Sequence, residues 1–220
     1  MDLPFTTQQF FDVFEAYNNA VWPAQPIFIG CAIAAVLSAF AGMRWWPRFA
    51  GFLMAALWAW MAFAYHLAFF AQINRAAIAF AALFLVESVL LAFWSARLAV
   101  PLDVPPPSRV VAAILFTYAL IGYPALQLAI GHQYPEASTF GLPCPTTIFT
   151  FGVFVLLAGS VPLWLFAIPL FWAVVGTVGA VALQIPEDFG LIVAAVSAVA
   201  FNLAVRHIRI EPQQPAWTHR

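Results

Sequence analysis

The chain has 220 residues, of which 65% are hydrophobic and 8% charged, with a formal net charge of −1. A soluble domain carries roughly 25% charged residues, so this composition excludes an ordinary water-soluble core and leaves lipid as the solvent. The near-neutral charge, with no basic stripe, argues against a nucleic-acid partner.

The N-terminal "MDLPFTTQQFF" lacks the positive region of a cleavable signal. Residues 6–19 have helical periodicity. Phe10, Phe11, Val13, Phe14 and Tyr17 share one face, opposite Gln8, Asp12, Glu15 and Asn19, and Thr6 and Gln9 have capping-box spacing. Residues 1–21 are therefore expected to form an amphipathic helix on the outer surface, as a structural collar or as a lid over an opening.

Seven apolar runs follow, at about 22–43, 50–71, 78–98, 110–131, 144–160, 163–184 and 188–205. Breakers and charges separate them, among them "RWWPR", "PLDVPPPSR", "GHQYPEASTFGLP" and "IPED". The fifth run is the shortest, but fusing it to the sixth would demand one helix containing Gly159, Pro162 and Pro169. The expected architecture is an all-α, polytopic bundle of seven transmembrane spans over 22–206, with a tail at 207–220. Arg44, Arg48, Arg97, Arg109, Arg206, Arg209 and Arg220 fall on one side and Arg75 on the other. By the positive-inside rule the N-terminus is outside and the C-terminus cytoplasmic. Asp2, Asp12, Glu15, Glu136, Glu187 and Asp188 then lie outside, and Trp22, Trp45, Trp46, Trp94 and Trp164 lie near span ends as interfacial tryptophans.

The absence of any lysine closes the retinal reading, which needs a Schiff base. A seven-helix zinc hydrolase needs several intramembrane histidines, but only His66 lies within a span. His132 is at an outer boundary, and His207 and His219 are in the tail. A haem held by His66 and His132 is a remote alternative. Cys31 and Cys144 have no C-x-x-C spacing and stand at different depths, which suits neither a disulfide framework nor thiol–disulfide chemistry.

Glu87, mid-span in "ALFLVESVLLAF", must face the bundle interior, a partner or a cavity. It is a proton- or cation-binding candidate, or a protonated acid bonded to another helix. His66 lies about one turn from its depth, so a relay through water is one reading and a singly bonded neutral histidine the other. Outer polar groups gather at Tyr123, Gln127, His132, Tyr134, Cys144, Thr146 and Thr147, and Cys144 with His132 could ligate a soft metal. In "LPCPTT", Pro145 suits a first helical turn, so Cys144 is expected at the cap, where the helix dipole favours thiolate. Glu187 and Asp188 read as structural acids at a helix N-terminus, and Gly176, Thr177, Gly179 and Ala180 as a close-packing surface. "PLDVPPPS" reads as a stiff connector. "WPAQPIFIG" and "CPTTIFTFG" echo one another, which would make spans 1–3 and 5–7 parallel repeats.

Together "PFTTQQFFDVFEAYNNAVWPAQ", "GHQYPEASTFGLPCPTTIFTFG" and "PEDFGL" resemble an uncharacterised family of bacterial multi-pass proteins, the domain of unknown function 6064 family. The resemblance implies a bacterial inner membrane, but no activity and no catalytic residues. The residues themselves favour a small permease or channel-like transporter for an ion, metal or small solute. Its binding residues would be Glu87, His66, Gln127, His132, Cys144 and Thr147. The alternatives are a non-catalytic sensor or assembly subunit and, behind both, a membrane redox or hydrolytic enzyme. The partners expected are the lipid bilayer and a small solute or ion, with oligomerisation open; no cofactor follows from the residues.

Overall fold

The computed structural model describes residues 4–98 and 104–210, with side chains to 208. Asp2, Arg209, His219 and Arg220 therefore lie outside the described side chains, as do residues 101–103 of the proline-rich connector. The described residues form helices: α1 (Thr7–Val21), α2 (Ala24–Phe40), α3 (Trp46–Trp60), α4 (Ala76–Arg97), α5 (Pro106–Thr117), α6 (Tyr123–Ala129), α7 (Pro143–Leu156), α8 (Ala167–Leu183) and α9 (Gly190–Ile210). Two of them change pitch rather than end. A π-helical segment, Met61–Leu67, continues α3, and another, Tyr118–Gly122, joins α5 to α6.

All seven expected runs are helical, but they are not equally able to cross a bilayer. Trp46–Gln72, Ala76–Arg97, Pro106–Ala129, Leu163–Leu183 and Pro186–Ile208 are each long and apolar enough. That makes five candidate spans. A sixth arises if α1 and α2, bent by 83° at Trp22–Pro23, are counted as one broken span. The seventh run, α7, has 14 residues. At 1.5 Å per residue it is about 21 Å long, short of the ~30 Å hydrocarbon thickness.

α7 is nonetheless the axis of the bundle. Every residue in it except Cys144 is buried, and it packs against α3, α5, α8 and α9. The α3–α4 hairpin closes one side, with α4 reaching α8, while α2 packs on the outside of α3. Close approach is built in at small residues. A side chain at Gly51 would strike Ser95 of α4, and one at Gly152 would strike Phe116 of α5. The two expected repeats pack differently, because α7 lies along α9 whereas α2 has no comparable contact with α4.

α1 forms as its sequence dictates. The Thr6 hydroxyl accepts from the Gln9 amide at 3.2 Å while the Gln9 side chain accepts from the Thr6 amide at 2.8 Å. Phe14 and Tyr17 are buried against Tyr65, Phe70 and Leu142, while Asp12, Glu15 and Asn19 remain exposed. The bend carries α1 across the bundle end, where buried Asn18 clamps the loop before α7. Its amide donates to the carbonyls of Pro135 (2.6 Å) and Ala137 (2.8 Å), and its oxygen accepts from Thr139 (2.7 Å).

The arginines mark the opposite end. Arg44 and Arg109 line one shallow cleft with Leu156. Arg48 donates to the Leu98 carbonyl beside Arg97, and Arg206 donates to Val161 just after α7. Arg75 is at the α1 end, before α4. Trp22, Trp45 and Trp164 are exposed near helix ends as expected, but Trp46 and Trp94 are buried. Trp94 packs edge-on to Phe154 of α7, so tertiary contact has taken the place of the lipid interface.

Gly51→Ala should destabilise the protein by about 1–3 kcal/mol through forced separation of α3 and α4. Gly30→Ala, which meets no neighbouring atom within 4 Å, should leave the thermal midpoint in detergent unchanged or raise it. Equal midpoints for the two variants would refute close α3–α4 packing.

Candidate functional site

Three interruptions of regular helix converge at the arginine-poor end. α8 stops at Gln184, which takes a left-handed conformation (φ 59°) and turns the chain into the 3-10 turn Pro186–Phe189. α7 begins at Pro143, with Leu142 as its N-cap. The π segment Tyr118–Gly122 rotates α5 into α6. These breaks aim side chains inward that a straight helix would present elsewhere.

Asp188 is the centre of the resulting cluster. It is 5% exposed and accepts a short hydrogen bond from the Tyr123 hydroxyl. The Cys144 thiol lies against the same carboxylate, with the Trp172 indole beside it. The Trp172 Nε1–H is buried but aligned with no acceptor. Glu187 has its own partners. Its Oε1 is 3.2 Å from His132 Nδ1, its Oε2 has no partner, and its carbonyl accepts from the Tyr118 hydroxyl at 2.6 Å. Two acids are thus held out of water by tyrosines and one histidine, an arrangement that is costly unless it is used or fully paired.

Asp188 and Cys144 open into a cavity of about 310 Å³. Phe10 and Phe14 of α1 roof it, Phe80 of α4 forms one wall, and Trp172, Val175 and Val178 of α8 form another. A second cavity, about 410 Å³, lies between α2 and α6 and is lined by Gln127, His132 and Tyr134.

The residues expected to form one site fall into three groups. Cys144 belongs to the Asp188 cluster and His132 to Glu187, so the thiol and the imidazole face different acids. Among the described residues, no three metal-ligating side chains converge. Gln127 anchors the loop: with its amide oriented to suit its neighbours, it donates to the Ser138 carbonyl and accepts from the Ser138 amide, each at 2.9 Å. Glu87, His66 and Thr147 are buried in the interior, and neither outer cavity is lined by any of them. Both Glu87 oxygens, both His66 nitrogens and the Thr147 hydroxyl lack hydrogen-bond partners. The His66 ring packs on Phe84 at 4.6 Å and on Trp172 at 5.3 Å.

One expectation is corrected and one is extended. Cys144 does not cap α7; Leu142 does, and Pro143 rather than Pro145 starts the helix, so the thiol sits inside the first turn and beside an acid. Glu187 and Asp188, expected as structural acids at a helix N-terminus, do stand in the first turn before α9, but they are buried there as members of the cluster. Their signal in the sequence was "QIPED", two adjacent acids at the foot of an apolar run, together with Trp172 in the middle of one.

The chain matches the Family of unknown function (DUF6064) over residues 7–211. It belongs to that family. The matched stretch takes in α1, the loop clamped by Asn18 and the Asp188 cluster, so the site described above is contained within the family region. No curated protein and no solved structure matches the chain.

Tyr123→Phe removes the donor to Asp188 and should cost about 1–3 kcal/mol, read as a lowered thermal midpoint in detergent. Tyr134→Phe, at an exposed tyrosine, should shift it by less than ~0.5 kcal/mol. A Tyr123→Phe protein as stable as the parent would mean that Asp188 does not depend on this hydroxyl.

Proposed function

We propose that this is a multi-pass protein of a bacterial inner membrane in which seven helical runs cross the bundle, α7 as a short run enclosed by its neighbours, and that it is a small permease that binds its solute at the Asp188–Cys144 site. The N-terminus and the site face outward, and the arginine-rich end is cytoplasmic. The single observation that carries the reading is a buried acid, held by the Tyr123 hydroxyl and the half-buried Cys144 thiol, at the foot of a cavity large enough for a small solute. Cavities of roughly 300–1,000 Å³ with a few convergent polar groups are the usual form of a ligand site.

Transport is supported by where helix geometry breaks. The π segments in α3 and α5 carry His66 and Tyr118, and the break between α8 and α9 carries Asp188. Interrupted helices around a binding site are a recurrent device of secondary transporters. In this conformation the site does not continue toward the arginine-rich end. Trp58, hydrogen-bonded to Thr150 at 3.1 Å, stacks with Phe84 and fills the centre of the bundle. A carrier that alternates between conformations therefore fits this geometry better than an open channel. The enclosure of Glu87 and His66 favours a second reading, a membrane sensor whose interior polar groups fix helix packing.

Topology is checked with single cysteines on a Cys31→Ser, Cys144→Ser background. Asn19→Cys and Glu136→Cys should react with an impermeant maleimide on intact cells, and Ala41→Cys only after permeabilisation. The reverse pattern would invert the assignment. Function is checked by proteoliposome uptake of a panel of ions and small organic solutes. For the solute carried, Asp188→Asn should lower flux at least ten-fold while Glu87→Gln retains it. Undiminished flux in Asp188→Asn would remove the site from the mechanism, and absence of flux for the whole panel would favour the sensor.

A further inference from the structure

We propose that the 310 Å³ cavity takes a cationic amphiphile, with an amine head on Asp188 and an apolar body along α8, admitted sideways from the lipid beneath α1. This rests on the assignment of the Asp188–Cys144 cavity as the ligand site.

The shape of the cavity sets the body. Its walls are mostly aromatic and aliphatic, from Phe10, Phe14, Phe80 and Val175, with polar lining from Asn74, Ser138, Cys144 and Asp188. A sugar or a hydrated ion would leave most of its hydrogen-bonding groups unpaired against such walls. The opening is flanked by exposed apolar side chains of α8. Val174 and Val178, which line it, are 56% and 43% exposed, and they lie on the same flank of α8 as exposed Phe171 and Val181. An apolar flank of this kind is solvated by acyl chains, so a molecule already dissolved in the bilayer can enter without crossing water. At ~30 Å³ per water-sized group, the space holds roughly ten non-hydrogen atoms.

Charge sets the head. The cluster contains two acids, Glu187 and Asp188, against one histidine, and that histidine is engaged by Glu187. Among the described residues no arginine lies within ion-pair distance of either acid. Asp188 has only neutral side-chain donors, the Tyr123 hydroxyl and the Cys144 thiol. A buried carboxylate in a low-dielectric site gains most from a cation that brings its own hydrogen bonds. Trp172 and Tyr65 also line the cavity, and aromatic rings attract an ammonium group. The buried Trp172 indole N–H lies beside the Cys144 thiol without a well-aligned acceptor, a second polar group at the same end of the pocket. A fatty acid would set its carboxylate against Asp188 and is disfavoured on charge.

The test uses the full chain in phosphatidylcholine nanodiscs with three ten-carbon photoreactive probes, each carrying a mid-chain diazirine. They differ only in the head: amine, alcohol or carboxylate. Labelled positions are read by peptide mass spectrometry. The amine should label α1 and residues 172–179 of α8 at least ten-fold more than the alcohol, and the carboxylate least. Asp188→Asn should abolish the preference for amine over alcohol while apolar labelling persists, and Val175→Trp, which fills the cavity, should abolish labelling by all three. Equal labelling by amine and alcohol in the parent protein, or strongest labelling by the carboxylate, overturns the cationic head and leaves the ligand site standing. Labelling no higher than in Val175→Trp for every probe overturns both the amphiphile and the site.

Discussion

The bundle depends on α7 being both short and completely enclosed. In lipid, burying apolar surface between helices is rewarded little, because acyl chains are as apolar as leucine. Association must come from close packing and from polar bonds made across helices. α7 supplies both, through Gly152 against Phe116 and through Thr150, which accepts from Trp58 and donates back to the Thr146 carbonyl at 2.9 Å. Its ends must also be satisfied, since orphan backbone groups are costly away from water. At the arginine-rich end Asn202 accepts from the Gly159 amide at 2.8 Å, and Asn202 and Arg206 both donate to the Val161 carbonyl. At the other end the Thr146 hydroxyl accepts from the Gly141 amide at 3.0 Å, and Asn18 holds the loop above.

Because α7 is a few turns shorter than the helices around it, its first turn lies beneath the rim of the bundle. That places Cys144 level with the turn that carries Asp188 rather than out in solvent. The same geometry leaves space above it, which α1 roofs with phenylalanines. The cavity, its acid and its lid are thus consequences of one short helix among long ones. The bundle also separates two kinds of polar group. Those at the arginine-poor end are partly paired and open to a cavity, whereas His66, Glu87 and Thr147 are walled in by aromatic rings and helix backbone.

Much of the architecture was legible in the residues. α1 announced itself through Thr6, Gln9 and the Phe10–Phe14–Tyr17 face, because a capping box and an apolar stripe are local properties. The helical runs were readable for the same reason, and the arginines sorted to one end through simple alternation of direction. The site was legible only in part. Cys144 and His132 stand out as chemical types, but their partners Asp188 and Glu187 read only as structural acids at a helix N-terminus. Residues adjacent to a proline at a helix start look alike whether the turn faces water or folds inward. Glu87 stood out because an acid in an apolar run is costly wherever it points, yet its sequence neighbours could not say whether a cavity would meet it.

The sequence by itself determined the solvent, the helices, the amphipathic N-terminal segment and the ends at which charge collects. Each follows from composition or from periodicity within a dozen or so residues. Only the tertiary structure decided that α7 is buried but for Cys144, that Leu142 rather than Cys144 caps it, and that Asp188 closes on Cys144 and Tyr123. Those outcomes depend on where α6, α7, α8 and the turn before α9 meet, and contacts between segments tens of residues apart leave no periodic trace in the chain.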